Sequence, residues 1–343
     1  MRSALYYPNT SLDEKLLKTS LLLWDEVHVI VPWPAFEPEY DTSDERDAFS
    51  LIGRCRCPTD DEKAQVHELV EDFVSRPLPK AFTYRSTGHI VHGIYPEKLL
   101  PDTWHVLRRA RLTGKGRRAG IQNPMNEPTA LSLMSIVADC CAGDSLARIT
   151  DQSDAYAALA GLFVDDTLVG VPPLATCEEL VPMVLSIASV DNIPTKKLVD
   201  FRKREVSAAD GHLLRDLRHR FVERLESQVR KLATAETDRD ADELKRQFQQ
   251  DMSDDYRNLR EALRLEAQQL LGTKELLTVL LGVGAVASAV AGLPMPNVLT
   301  AGGAAATIGG ILATRAKFVS KRRQILRDHP MSYLYEARAG IRL

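Results

Sequence analysis

The sequence predicts a predominantly α protein with a small α/β N-terminal body, a long charged helical hairpin after it, and a C-terminal Gly/Ala-rich apolar helical hairpin. Three observations carry this. Strand, helix and strand signals follow one another near the start. Two apolar stripes at spacings of three and four run through heavily charged sequence beyond Asp191. The stretch from Leu276 to Thr314 holds no ionisable side chain. These place the α/β body at 1–190, the charged hairpin at 191–272, and the apolar hairpin with a basic exit helix and tail at 273–343. A chain of 343 residues suits two domains or one large one, and 44% apolar content is enough for a core. A net charge of −3 excludes a strong global pull toward nucleic acid.

Taken in order, Ser3 to Tyr7 reads as a short strand ended by Pro8. Ser11 and Glu14 form a capping box before a helix from Leu12 to Trp24, and Val27 to Val31 is a β-branched strand closed by Pro32. Such a βαβ unit makes the first strand pair parallel with a right-handed crossover. Helices follow at Thr42–Arg54 and Thr59–Arg76, the second opened by acidic residues that favour a helix N-terminus. The β-rich run Ala81–Tyr95 suggests a strand or hairpin and Pro101–Leu112 a helix. A basic loop then leads to a long helix, Glu127–Ala142, a brief strand, Ala147–Thr150, and a helix, Asp154–Phe163. Leu168–Leu174 is a last strand or a loop.

Several short pieces resemble an uncharacterised family of bacterial proteins. They are ALYYPNTSLDEKLLKTSLLLWDEVHVIVP with its YYP, W-D and V-P pairs, IYPEKL (Ile94 to Leu99), ALSLMSIVADCCA with ARITD (Ala130 to Asp151), and IPTKKLVDFRKRE (Ile193 to Glu205). The resemblance covers about the first two thirds of the chain. It implies a bacterial origin and a cytosolic body, and it carries no activity or functional residue with it.

Past Asp191, Leu214, Leu217, Phe221, Leu225, Val229 and Leu232 make one stripe. Leu244, Phe248, Met252, Tyr256, Leu259 and Leu263 make another, with a polar turn at Thr234–Asp238. Two such helices pair antiparallel. The apolar hairpin comes next, as Leu276–Leu293 and Val298–Thr314 around a break at Pro294, Met295, Pro296 and Asn297. Each half would measure roughly 25–27 Å as a helix, just short of a ~30 Å hydrocarbon core. The first half carries nine strongly apolar residues, a gain of about −3 to −5 kcal/mol at a bilayer centre, and the second only five. Leu277, Leu281, Gly284, Ser288, Gly292, Gly302, Ala306 and Gly310 line its packing faces. Small residues spaced four apart let helices approach closely, in lipid or in a protein core. Lys274 before it and Arg315, Lys317, Lys321, Arg322 and Arg323 after it place both ends on the cytoplasmic side if it inserts. A buried hairpin at the centre of a helical domain fits the same residues. The tail, with Tyr333, Leu334 and Tyr335, is free to dock back on the body.

Acidic residues at strand ends are the leading enzyme candidates: Asp151 after the brief strand, Asp154 soon after, and Asp25 before the second strand, with Glu26, Asp165 and Asp166 beside them. Carboxylates gathered at a sheet edge hold Mg²⁺ or Mn²⁺ for phosphodiester cleavage, although Asp25 stands at the wrong end of its strand. Arg108, Arg109, Arg111, Lys115, Arg117 and Arg118, with two glycines between them, form a candidate anion site for phosphate or lipid headgroups. They do not make a P-loop. His89 and His92 fall on opposite faces of a strand and lack a third ligand, so no metal site is assigned and no cofactor is implied. The five cysteines are expected as reduced thiols, since no N-terminal signal is evident.

The function these features favour is a non-enzymatic bacterial effector or membrane-associated interaction protein. It would be cytoplasmic or held at the inner membrane through anionic lipid or insertion, with a protein partner or self-association, phage defence being one such setting, and not a nucleic-acid binder. The alternatives are a soluble metal-dependent nuclease or phosphoesterase using Asp151, and a soluble helical scaffold with the hairpin buried.

Overall fold

The computed structural model describes residues 2–85, 92–118, 120–143, 145–161, 180–207, 211–235, 237–271 and 319–339. The apolar stretch 276–314, with Leu277, Leu281, Gly284, Ser288, Gly292, Gly302, Ala306 and Gly310, lies outside these residues. So do His89, Asp165, Asp166 and the strand or loop expected at Leu168–Leu174. The fold is predominantly α with a small α/β body, as the hydrophobic periodicity indicates. The chain forms two compact units, Met1–Glu179 with Asp191–Val206, and Leu180–Val190 with Ser207–Leu343.

The first unit is built on four parallel strands among the described residues: β1 (Ser3–Tyr6), β2 (Glu26–Ile30), β3 (Gly53–Arg56) and β6 (Ala147–Ile149), in the order β3-β2-β1-β6. Ala4, Leu5 and Tyr6 are all fully buried, as a parallel strand covered on both faces requires. Helix α1 (Glu14–Leu23) makes the crossover from β1 to β2. Its N-cap is Asp13, whose carboxylate accepts from the Leu16 amide at 2.6 Å, so the expected Ser11 cap is corrected by two positions. Helices α2 (Ser43–Ile52) and α3 (Asp60–Ser75) begin with complete capping boxes, Thr42 with Glu45 and Thr59 with Glu62.

Strand β3 stands where the sequence suggested the end of a helix. Any side chain at Gly53 would overlap the Phe49 ring, so the chain closes α2 against glycine and leaves extended. Of the strand or hairpin expected at Ala81–Tyr95, Lys80–Phe82 is a 3₁₀ turn, residues 86–91 lie outside the described residues, and His92 forms an antiparallel bridge with Met125. Helices α4 (Pro101–Arg109) and α5 (Glu127–Ala142) pack with α3, and α5 lies on β1 and β6. Leu5, Ile30, Val70, Phe82, Trp104, Leu107, Leu133 and Val137 form the core between them. Between α4 and α5 the basic segment folds into a two-stranded antiparallel ribbon, β4 (Arg117–Arg118) with β5 (Ile121–Gln122). Helix α6 (Ser153–Gly161) follows β6.

The second unit is helical: α7 (Leu180–Ile187), α9 (Gly211–Ala233), α10 (Asp238–Leu271), residues 319–328, and α11 (Ser332–Ala339). Helix α8 (Thr195–Ser207), read from sequence as part of the charged hairpin, falls in the first unit, where the Arg202 guanidinium donates to the Trp24 carbonyl at 3.1 Å. Leu214, Leu217, Phe221 and Leu225 of α9 and Phe248, Met252, Tyr256 and Leu259 of α10 are buried along the stripes read from sequence. The tail does dock: Tyr333 is buried against Phe221, ring centroids 6.2 Å apart.

Arg322 and Glu336, 6% and 0% exposed, form an ion pair at 2.5 Å that joins residues 319–328 to α11. Losing one member of a buried pair costs about 3–5 kcal/mol, whereas replacing both by apolar residues is often neutral. Arg322→Ala is therefore expected to lower the urea midpoint of the second unit sharply, and Arg322→Met with Glu336→Leu to restore most of it. A single-variant loss below about 1 kcal/mol would show that the pair is dispensable.

Candidate functional site

The strand order determines where a site can form. From β1 the chain winds through α1 and α2 to β2 and β3 on one side, then returns through α5 to β6 on the other. Right-handed crossovers in opposite directions put α1 and α5 on opposite faces of the sheet. The carboxyl ends of β1 and β6 therefore flank a topological switch point, where open α/β sheets form ligand crevices.

Tyr6 and Asp151 meet there. Alternation along β1 turns Leu5 toward the α3–α5 core and Tyr6 to the other face. The Tyr6 hydroxyl lies 2.7 Å from Asp151 Oδ2 and 3.0 Å from the Ser11 carbonyl. One hydroxyl proton cannot serve both acceptors at full strength. The conflict is relieved when Asp151 is protonated and donates to the Tyr6 oxygen, leaving the phenol proton for Ser11. Burial raises the Asp151 carboxyl above its ordinary range, the Tyr6 bond opposes this, and the charge of Asp13 adds to it. Burial and the Asp151 carboxylate together also push the Tyr6 phenol far up, keeping it protonated. Asp151 Oδ1 is buried without a hydrogen-bond partner. Tyr7 and Tyr156 wall the same end with an edge-on ring contact at 5.2 Å. With both protons of the pair engaged by Tyr6 and Ser11, Asp151 Oδ1 is the acceptor left over at this end of the sheet.

The other strand ends are committed differently. Arg56, closing β3, donates to the Cys141 carbonyl at 2.5 Å and pairs with Glu62 of α3. The Cys141 thiol, 3.7 Å from Glu62, is pushed up to about 12 by burial and that charge, which leaves it protonated and unreactive. Lys98, 2% exposed, has its ammonium 5.8 Å from the Tyr95 ring centre, and burial pulls its pKa down to about 8. Beyond β2, Trp33, Phe36 and Tyr95 make a mutual T-shaped cluster, and Trp33 and Tyr95 are exposed.

The three carboxylates read from sequence do not converge. Asp25 stands at the amino edge, where its carboxylate accepts from the Arg2 amide at 2.7 Å. The strands separate it from Asp151 by roughly 15 Å at ~3.3 Å per residue. Asp154 is exposed in the first turn of α6. Among the described residues no group of three or more His, Cys, Asp and Glu is placed to hold a metal ion.

The six basic residues are dispersed as well. Arg108 and Arg109 end α4, Arg111 takes a left-handed backbone (φ 59°), and Lys115 is exposed. Arg117 lies in β4, and Arg118 donates to the Tyr84 hydroxyl at 3.4 Å. Of the six, Arg108 lines a cleft of about 580 Å³ beside α4. Sequence reading missed Tyr6, Lys98 and Arg56 as polar groups of the sheet edge. Tyr6 stands in the YYP piece and Lys98 in IYPEKL.

The second unit joins the last described residues before the apolar segment to the first described residues after it. Lys321 Nζ lies 3.1 Å from Glu266 Oε2, joining the end of α10 to the start of the returning helix, 55 positions on. Farther along, His329 Nδ1 and the Met331 amide lie 2.7 and 2.9 Å from the Asp255 carboxylate, and Arg338 donates to the Tyr256 hydroxyl at 3.4 Å. Residues 321–331 thus run back along α10 from Glu266 to Asp255. Among the described residues no helix is long and apolar enough to cross a membrane.

Asp151 carries its proton to higher pH in the folded chain than in the unfolded one. Its contribution to stability is complete below about pH 4 and lost as pH rises through the folded value. Asp151→Asn mimics the protonated form. Its stability relative to wild type is expected to climb between about pH 4 and 7 in urea titrations; a pH-independent difference would mean an ordinary, ionised carboxylate. Comparison of the chain with protein-family models, with curated proteins and with solved structures yields no match.

Proposed function

We propose that the chain is a bacterial effector of the inner membrane: the first unit binds a small polar ligand at the carboxyl edge of its sheet, and the apolar segment 276–314 meets the lipid. The observation that carries the membrane half is the Lys321–Glu266 ion pair. It ties the end of α10 to residues 319–328, a pairing that a hairpin excursion of the intervening sequence would leave in place. Basic residues at both ends, Lys274 before and Lys321 with Arg323 after, suit anionic headgroups at about 1 kcal/mol each. The ligand half is supported by the switch-point position of Tyr6 and Asp151. The YYP, V-P and ITD pieces that carry the family resemblance also end β1, β2 and β6. Self-association through Ser288, Gly292, Gly302, Ala306 and Gly310 would compensate for the weak second half of the hairpin.

The alternative reading, a metal-dependent nuclease or phosphoesterase, retains Asp151 alone of its three carboxylates at the crevice. Mg²⁺- or Mn²⁺-dependent cleavage of nucleic acid that Asp151→Asn abolishes would favour it.

Flotation with phosphatidylglycerol-containing vesicles tests the membrane reading. The full chain is expected to float with the vesicles, and Leu277→Asp with Leu281→Asp to reduce the bound fraction at least tenfold while the protein stays folded by circular dichroism. Wild-type protein that remains unbound at low and physiological salt would overturn the proposal.

A further inference from the structure

We infer that the cleft framed by the start of α3, by α4 and by the end of β5 binds a nucleoside monophosphate. This goes beyond the reading above and shares no residue with the Tyr6–Asp151 crevice. The cleft, about 580 Å³, is lined by Lys63, Trp104, His105, Arg108, Gln122 and Asn123 among others, and its volume falls within the range of small-molecule sites.

Asn123 is the first indication of a ligand. It is 6% exposed, and its backbone is pinned by the Asn123 amide donating to the Gly116 carbonyl at 3.2 Å. Its carboxamide has no hydrogen-bond partner among the described residues. On the cleft wall that carboxamide is open to an occupant, to which it offers both a donor and an acceptor. Its left-handed backbone (φ 51°) suits Asn, which tolerates that region better than most residues.

Arg108 supplies the charge. Its Nε donates to the Trp104 carbonyl at 3.0 Å, which fixes the stem and leaves both terminal nitrogens without a carboxylate partner among the described residues. A guanidinium held by one edge presents the other as a fork matched to phosphate. Lys63, 3.9 Å from the exposed Asp60, is held only loosely, and α4 begins at Pro101 with no side-chain cap on its first-turn amides. Both favour an anion.

Joining the two halves identifies the ligand class. One uncommitted guanidinium, with acidic Asp60 and Glu97 also on the rim, suits a single phosphate better than a polyphosphate chain. Adjacent carboxamides at Gln122 and Asn123 each offer a donor and an acceptor, the complement of a base edge. A phosphate and a hydrogen-bonding planar edge on one small molecule describe a nucleoside monophosphate.

Calorimetric titration of the full chain with AMP, GMP, CMP, UMP and inorganic phosphate tests this. At least one nucleotide is expected to bind ten times more tightly than phosphate. Arg108→Gln and Asn123→Gly, the latter keeping the backbone unstrained, are each expected to weaken it at least tenfold. They lie on different elements, so one remains informative if the other fails to fold by circular dichroism. No binding of any of the four at millimolar concentration, phosphate binding as tightly as every nucleotide, or folded variants that bind as wild type would each overturn the inference.

Discussion

The position of β1 is the constraint on which the first unit depends. Parallel to β2 on one side and β6 on the other, it is buried on both faces and has no edge of its own. Because parallel neighbours need crossovers and crossovers are right-handed, winding outward from β1 in both directions sends helices to both faces of the sheet. The carboxyl ends of β1 and β6 are then left uncovered between two diverging layers. Tyr6 and Asp151 owe their meeting, across 145 positions of sequence, to that topology and not to any local motif.

In the second unit, α10 is the corresponding template. Its apolar stripe buries against α9 and α11, and its polar flank presents Asp255, Tyr256 and Glu266 in succession to the returning chain. Such contacts mix buried and exposed pairs. The exposed Lys321–Glu266 bridge contributes little stability by itself. Its importance is geometric, since together with the Asp255 contacts it fixes the direction in which residues 319–339 return. The buried Arg322–Glu336 pair then fastens that return to α11.

Periodicity made much of this architecture readable. The βαβ start, the helices that open near Thr42 and Thr59, the long helix Glu127–Ala142 and both amphipathic stripes follow from local rules of spacing and charge. Strand β3 escaped because four residues of low β propensity, Gly53–Arg56, are held extended by pairing with β2 and by the Phe49 ring beside Gly53. The basic run was legible as charge but not as shape. Left-handed backbones at Arg111, Gly116 and Gly120 accompany its folding into a ribbon. Asp151 was legible as a strand-end carboxylate, whereas its partner was not. A tyrosine inside an apolar strand reads as core until the strand order puts a carboxylate beside it.

The proton shared by Tyr6 and Asp151 is the centre of the crevice chemistry, and it can be observed directly. With aspartate labelled at the side-chain carboxyl carbon, ¹³C NMR of the full chain across pH 3 to 8 would follow Asp151, identified as the resonance missing from Asp151→Asn. A midpoint above the ordinary value of about 3.9, moving higher still in Tyr6→Phe, which loses the bond that opposes burial, is expected. A midpoint at or below that value would contradict a protonated carboxyl at the switch point.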